Sequence, residues 1–235
     1  SPVWDTAIAV IGLAESGLDR RHPSVVRAVE WLLSKEIRRA GDWRMTNTVG
    51  PVGGWAFEFK NDFYPDIDDT AMVMLALRHV ELDDRLAQTR EKACLRGLTW
   101  LLSMQSSSGG WAAFDKENTK VILTKIPFAD HNAMIDPPWA DITGRVLEFL
   151  GYIGYDESYP CVSSAVAFIR REQEADGSWY GRWGVNYIYG TWQVLMGLDS
   201  IGADMNQPWV QKGANWLASV QREDGGWGET CASYA

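Results

Sequence analysis

Three aspartates within four residues are the part of this sequence best suited to chemistry. Asp66, Asp68 and Asp69 lie in the string DIDDTA, directly before the apolar run 72–77. One Asp could cap a helix there, but three exceed what capping requires. Because like charges this close cannot all ionise cheaply, at least one carboxyl is expected to hold its proton near neutral pH. This predicts general-acid catalysis, with a calcium or magnesium site as the competing interpretation.

The histidines and cysteines point to no further chemistry. The chain has three of each, scattered without the spacing of metal ligands. We interpret Cys94, His79 and His131 as structural, which argues against a zinc-dependent enzyme. An odd number of widely spaced cysteines fits reduced thiols better than a disulfide framework.

A short sequence motif is repeated along the chain, before and after these aspartates. An aromatic residue precedes Gln by five positions, and Gln precedes a Gly-x-Trp triplet by four. The three copies centre on Gln105, Gln173 and Gln221, and Glu36 takes the Gln place in a degenerate fourth copy. The excess of Trp, thirteen residues, and of Gly, twenty-two residues, indicates repeats rather than average core composition.

Each copy predicts a helix that ends at the glycine pair, which would supply a left-handed cap. A second, nearly apolar helix precedes each copy and is therefore expected to be buried. These upstream helices are predicted to open at Asp5, Asp69, Asp141 and Tyr189. Alternating inner and outer helices predict an all-α fold, an α/α toroid of the α6–α6 barrel type built from helical hairpins. Only four hairpins can be counted in residues 1–235, so we expect the ring to be incomplete.

Composition excludes several classes of function. The net charge is −9, and no run of Lys or Arg offers the phosphate-neutralising patch that nucleic-acid binding requires. No stretch is long enough to span a bilayer. Residues 1–6 lack the pattern of a signal peptide, which favours a cytoplasmic protein.

Two of these motifs together resemble one family. The string at 66–71 is similar to the DxDDTA signature of class II terpene cyclases, and the Gln-Gly-x-Trp copies resemble the QW repeats of squalene cyclases. Further similar strings lie at 1–6, 53–57 and 177–191. The resemblance to the squalene–hopene cyclases covers essentially the whole chain. Two alternatives stay open: a noncatalytic helical-repeat fragment, and a class II diterpene cyclase that would recruit a diphosphate and magnesium.

The resemblance implies proton-initiated polycyclisation of squalene, or a similar polyprene, to pentacyclic triterpenes of the hopene or hopanol type. Asp68 matches the proton donor, and Asp66 and Asp69 match the carboxylates that flank it. No metal or organic cofactor is implied. Aromatic faces would stabilise the carbocations through cation–π attraction. The matching aromatic positions are Trp4, Phe57, Trp183 and Tyr189.

Two positions depart from the family pattern. The family's Asp followed one turn later by His reads here as Asp141 and Arg145, neighbours at i and i+4 in the favourable order. Arg145 therefore supplies a cation that pH does not remove. Phe114 stands where many members have Tyr, so the ring is kept for binding substrate while the hydroxyl is lost.

The apolar segment 121–130 resembles the family's monotopic membrane patch. Phe128 and Ala129 match the constriction through which squalene enters. This predicts a peripheral protein on the cytoplasmic side of the membrane, held by apolar contacts, and leaves a homodimer open. Residues 1–235 are expected to be part of the catalytic domain, inactive without the remaining repeats and a second barrel domain.

Overall fold

The computed structural model describes residues 1–58, 60–61, 63–118 and 135–234. Over these residues the protein is all-helical, as predicted, and strand-like pairing is limited to two isolated bridges, Trp55–Asp66 and Trp111–Trp139. The helices are α1 (Pro2–Glu15), α2 (Pro23–Ser34), α3 (Ile67–Arg78), α4 (Asp84–Ser103), α5 (Ala140–Tyr152), α6 (Pro160–Arg171), α7 (Tyr187–Ser200) and α8 (Pro208–Ser219).

The chain divides into two compact units. The first comprises Ser1–Met104 with Phe114–Lys116, and the second comprises Gln105–Ala113 with Glu117–Ala235. The first unit holds α1 to α4, and the second holds α5 to α8. Within the units, α1 packs against α3 and α5 packs against α7. Each unit is therefore a pair of helical hairpins whose upstream helices lie side by side.

Helices α5 and α7 approach each other at backbone distance. A methyl group added at Gly197 would lie 2.3 Å from the carbonyl oxygen of Gly144, and one added at Gly151 would lie 2.2 Å from that of Ser200. Both distances are far inside van der Waals contact. Glycine is therefore required at this seam because no larger residue fits between the two helices.

The predicted inner and outer helices differ in how far they are buried, but only in part as expected. Helices α3 and α5 are buried over most of their length, whereas α2 buries a single stripe, Val25, Val29 and Leu32, as an outer helix does. Helices α1 and α7 depart from the expected full burial, since apolar Ile8 and Trp192 are exposed. Within its unit each of these two helices packs on one upstream neighbour, which covers one face.

The upstream helices begin one to three residues before their predicted starts. Helix α1 begins at Pro2 because the hydroxyl of Ser1 accepts a hydrogen bond from the Trp4 amide at 3.4 Å. Helix α3 begins at Ile67 with Asp66 as its N-cap. The predicted openings at Asp5, Asp69, Asp141 and Tyr189 thus all lie inside their helices.

The predicted helix ends at glycine are wrong. Helices α4 and α6 end at Ser103 and Arg171, before the repeat Gln. Gly109 and Gly177 do adopt positive φ angles, 97° and 106°, but in the turn that follows.

The repeat glutamine closes this turn. The Nε2 group of Gln105 donates to the carbonyl oxygens of Gly109 at 2.7 Å and Cys161 at 2.8 Å. Gln173 makes the same two bonds, to Gly177 at 2.9 Å and Trp209 at 2.8 Å. Because Cys161 and Trp209 are the second residues of α6 and α8, each Gln ties its own turn to the start of the next outer helix.

Candidate active site

A hydrogen bond between a repeat tryptophan and a threonine fixes the start of three upstream helices. The amide of Trp55 donates to the hydroxyl of Thr70 at 2.9 Å. The same bond joins Trp111 to Thr143 and Trp179 to Thr191, each at 3.0 Å. Trp111 and Trp179 follow the glycine turns of their repeats, so in the second unit the repeat places the first turns of α5 and α7 in the same way.

The residue two positions before each of these threonines is a predicted site residue. The equivalent positions are occupied by Asp68, Asp141 and Tyr189, and Trp4 stands likewise before Thr6 of α1. The sequence reasoning named these four residues singly, through the family resemblance. The structure shows that four of the predicted residues share one register on their helices.

Asp66 organises the acid cluster. Its side chain accepts hydrogen bonds from the amides of Asp69 at 2.7 Å and Phe57 at 3.0 Å, and only 3% of the residue is exposed. The first bond caps α3, and the second fixes the segment that carries the aromatic ring of Phe57. Asp66 therefore positions both a neighbouring acid and a predicted substrate-binding side chain.

Burial favours the protonated form of two of the three carboxyl groups. Desolvation, followed by the charge of Asp69, raises the pKa of Asp66 well above its usual range. Desolvation, followed by the charge of Asp68, raises the pKa of Asp69 to about 7. Both shifts favour the neutral carboxyl group over the carboxylate. Asp68, half-buried, lies beside this pair.

The raised pKa of Asp69 makes stability depend on pH. The pKa of Asp69 is about 7 in the folded state and 3.8 ordinarily. Between these pH values the folded protein therefore binds more protons than the unfolded protein does. The contribution of Asp69 to the free energy of unfolding is therefore fully present below about pH 4. It is lost as pH rises through about pH 7, and the loss amounts to up to about 4 kcal/mol. We expect Asp69→Asn in the full-length protein to flatten this slope, as measured by urea unfolding followed by circular dichroism.

Asp84→Asn is the matched control for this measurement, because Asp84 also lies in a first helical turn but is exposed. It should leave the slope unchanged. Parallel stability curves for Asp69→Asn and the unsubstituted protein would show that Asp69 does not carry the extra proton.

Asp141 and Arg145 are both buried in α5. Asp141 accepts a hydrogen bond from the amide of Arg182 at 2.7 Å, which joins α5 to the loop before α7. The guanidinium of Arg145 forms an ion pair with Glu148 at 2.8 Å. Gln193 of α7 donates to the same oxygen of Glu148, also at 2.8 Å.

Sequence reasoning missed Glu148 and Gln193. The i, i+3 spacing of Arg145 and Glu148 on one helix is a signal that could have found the first. The contribution of Gln193 depends on how α5 and α7 pack, which no local pattern reveals. Glu148 offsets much of the cost of burying the charge of Arg145.

The predicted aromatic residues within the described ranges are exposed or half-buried. Phe57 is 51% exposed and Trp183 is 42% exposed, while Trp4, Phe114 and Tyr189 are half-buried. Phe128 and Ala129, predicted at the constriction, lie outside the described residues.

Arg182 sits between two of the tryptophans. Its guanidinium carbon lies 5.8 Å from the ring centroid of Trp139 and 5.2 Å from that of Trp183. A cation between two rings restrains both of them. The orientation of Trp183 is therefore set in part by Arg182, another residue that sequence reasoning did not select.

No cluster of three or more His, Cys, Asp or Glu side chains is placed to hold a metal in the part of the chain that the structure describes. No helix within the described ranges is long and apolar enough to cross a membrane.

The fold and site define a class of protein. The structure is similar to that of a type II terpene cyclase from Scytonema in complex with merosterolic acid A, with a TM-score of 0.63 and 19% identity. This likeness covers 97% of this chain and 58% of that one. At this identity the likeness shows the fold alone, the α/α toroid fold of the terpene cyclases.

The family follows from the sequence comparison. The family described as squalene-hopene cyclase C-terminal domain matches residues 1–235, and the chain belongs to it. The chain is 46% identical to the squalene–hopene cyclase of Alicyclobacillus acidocaldarius and 44% identical to that of Zymomonas mobilis, over its full length in both cases. It spans 37% and 36% of these two relatives.

Proposed function

We propose that this chain forms the acid-catalysing part of an enzyme that converts squalene to pentacyclic triterpenes of the hopene or hopanol type. The observation that carries the proposal is the buried pair Asp66 and Asp69, whose pKa values are raised, beside Asp68 at the start of helix α3. The identity to squalene–hopene cyclases supports the choice of substrate.

The first chemical step is transfer of a proton from Asp68 to the terminal alkene. The O–H bond breaks, the proton forms a C–H bond, and the alkene carbon left electron-deficient becomes a tertiary cation. Ionised Asp68 repels ionised Asp69, so a proton within the cluster is retained until the alkene takes it. The buried pair thus holds a proton next to Asp68 near neutral pH.

The later steps require a surface that tolerates positive charge without reacting with it. Each double bond attacks the cation before it, and the last cation either loses a proton or captures water. The rings of Phe57, Trp183 and Tyr189 can face these charges without supplying a nucleophile. Beyond the acid cluster, α3 is apolar from Ala71 to Leu77, which suits a hydrocarbon better than a sugar.

Incubation of the full-length protein with squalene, with products identified by gas chromatography and mass spectrometry, tests the proposal. We expect pentacyclic triterpenes without added metal. Turnover of geranylgeranyl diphosphate with magnesium, and none of squalene, would instead assign a diterpene cyclase. No turnover of either would favour a noncatalytic helical-repeat protein.

We further propose peripheral attachment to the cytoplasmic face of a membrane through the segment 121–130, with Phe128 and Ala129 at the substrate entrance. The support is the apolar sequence of that segment and the net charge of −9, which disfavours attachment to anionic headgroups. Flotation with neutral phosphatidylcholine vesicles should therefore persist at high salt. Binding that salt abolishes would contradict apolar attachment.

A further inference from the structure

We infer that Glu229 is a positioning residue for the aromatic surface at the start of α7. One carboxylate oxygen of Glu229 accepts hydrogen bonds from the amides of Asn186 and Ile188, both at 2.8 Å. These amides flank the first residue of the helix, Tyr187. Glu229 thus clamps the entry to α7 from a segment more than forty residues later in the chain.

The clamp has a physical reason in the geometry of helices. The first amides of a helix have no acceptor within the helix, and the helix dipole makes that end positive. A carboxylate is the acceptor that best satisfies both conditions, because its hydrogen bonds are charge-assisted. Glu229 supplies this acceptor while being only half-buried itself.

Asn186 passes the restraint on to the loop that carries Trp183. Its carbonyl oxygen accepts from the amide of Gly181 at 3.0 Å and from that of Gly190 at 2.9 Å. The Asn186 backbone is therefore held on one side by Glu229 and on the other by the loop and the helix. Displacing Asn186 would loosen all three connections together.

The ring of Tyr189 depends on the same loop. A methyl group added at Gly184 would lie 2.4 Å from Cγ of Tyr189, so the ring packs directly on the loop backbone. Trp183 precedes this glycine by one residue. The relative placement of these two aromatic rings therefore depends on a backbone geometry that Glu229 fixes through the amides of Asn186 and Ile188.

This inference rests on the proposed function only for its catalytic consequence. A cation cascade is guided by rings at defined places, and a small misplacement of a guiding group costs rate or changes the product. Glu229 does not touch the substrate in this account. Its loss should therefore alter turnover and product pattern through the position of Trp183 and Tyr189.

The test compares Glu229→Ala, Glu229→Gln and Asp83→Ala in the full-length protein. Asp83 is the matched control, since its side chain caps the outer helix α4 by accepting from the Leu86 amide at 2.8 Å. Hydrogen exchange of the peptide spanning 181–190, read by mass spectrometry, reports the clamp whether or not the protein turns over squalene. Triterpene products report the catalytic consequence.

We expect Glu229→Ala to speed exchange of the Asn186 and Ile188 amides about tenfold to a hundredfold, the range for a lost hydrogen bond to a charged group. We expect its turnover to fall about tenfold, with new products and a nearly unchanged KM. Glu229→Gln keeps a hydrogen-bond acceptor, so its exchange rate and turnover should lie between those of Glu229→Ala and the unsubstituted protein. Asp83→Ala should lower stability while leaving the hydrogen exchange of the 181–190 peptide and the product pattern unchanged.

Unchanged exchange in Glu229→Ala would overturn the clamp. Faster exchange with an unchanged product pattern would reduce Glu229 to a structural cap and overturn its positioning role. If Glu229→Ala does not fold, the same two readouts on Glu229→Gln decide the question. If the unsubstituted protein does not turn over squalene, the proposed function is contradicted. The hydrogen-exchange result would still test whether Glu229 restrains the start of α7.

Discussion

Replacement of Asp68 by Asn in the full-length protein is expected to abolish cyclisation of squalene with helical content intact. The amide keeps the size and polarity of the side chain but has no acidic proton to give. General-acid catalysis contributes a factor of about 10² to 10⁴ in rate. We expect no other group to protonate the alkene at a comparable rate. Product formation measured by mass spectrometry, with circular dichroism on the same sample, checks this prediction.

The control is Asp84→Asn, which makes the same chemical change in the first turn of the exposed outer helix α4. It should keep full activity. Activity of Asp68→Asn within a factor of about three of the unsubstituted protein, against the general-acid range above, would assign proton donation to another group. Asp69 would then be the first candidate, because burial raises its pKa to about 7.

Replacement of Arg145 by His should make activity depend on pH in a way that the unsubstituted protein does not. The substituted protein should retain activity at low pH and lose it as pH rises through about 6.5, the ordinary imidazole value. Neutral imidazole no longer supplies the buried positive charge that pairs with Glu148. The described residues around this position include Asp141 and Glu148 of α5 and Gln193 of α7. The measurement is a pH–rate profile of squalene turnover.

Arg145→Lys serves as the matched control, because a lysine keeps its charge over the same range although it cannot copy the guanidinium geometry. It should show no descending limb near neutral pH. Circular dichroism across the profile separates loss of charge from unfolding, since an unpaired Glu148 carboxylate would itself be costly to bury. Superimposable profiles of Arg145→His and the unsubstituted protein would make the cation structural rather than electrostatic.

The helical class, the inner and outer sets and the acid cluster were predictable because their signals are local. Apolar periodicity, the repeated Gln-x-x-x-Gly-x-Trp spelling and three adjacent aspartates each lie within a short window. The prediction that at least one carboxyl keeps its proton followed from crowding alone. The structure adds that Asp66 and Asp69, rather than all three aspartates, are buried.

What sequence reasoning missed depends on distant residues. In the three copies of the repeat only the first glycine is left-handed, and it lies in the turn after the helix, which the Gln105 side chain closes in the first copy. Glu148 and Gln193 meet only where α5 packs on α7. Glu229 reaches α7 from the far end of the chain, so no spacing could have connected it with Tyr189.

The glycine seam between α5 and α7 bears on how this fold can diversify. Gly144, Gly151 and Gly197 occupy positions where any side chain would collide with a facing backbone, so a larger residue at any of them would force the two helices apart. The ring-bearing turn at 181–189 lies at the start of α7, and its aromatic side chains are partly exposed. Substitution of those side chains is therefore compatible with the close packing of α5 on α7, which depends on the seam.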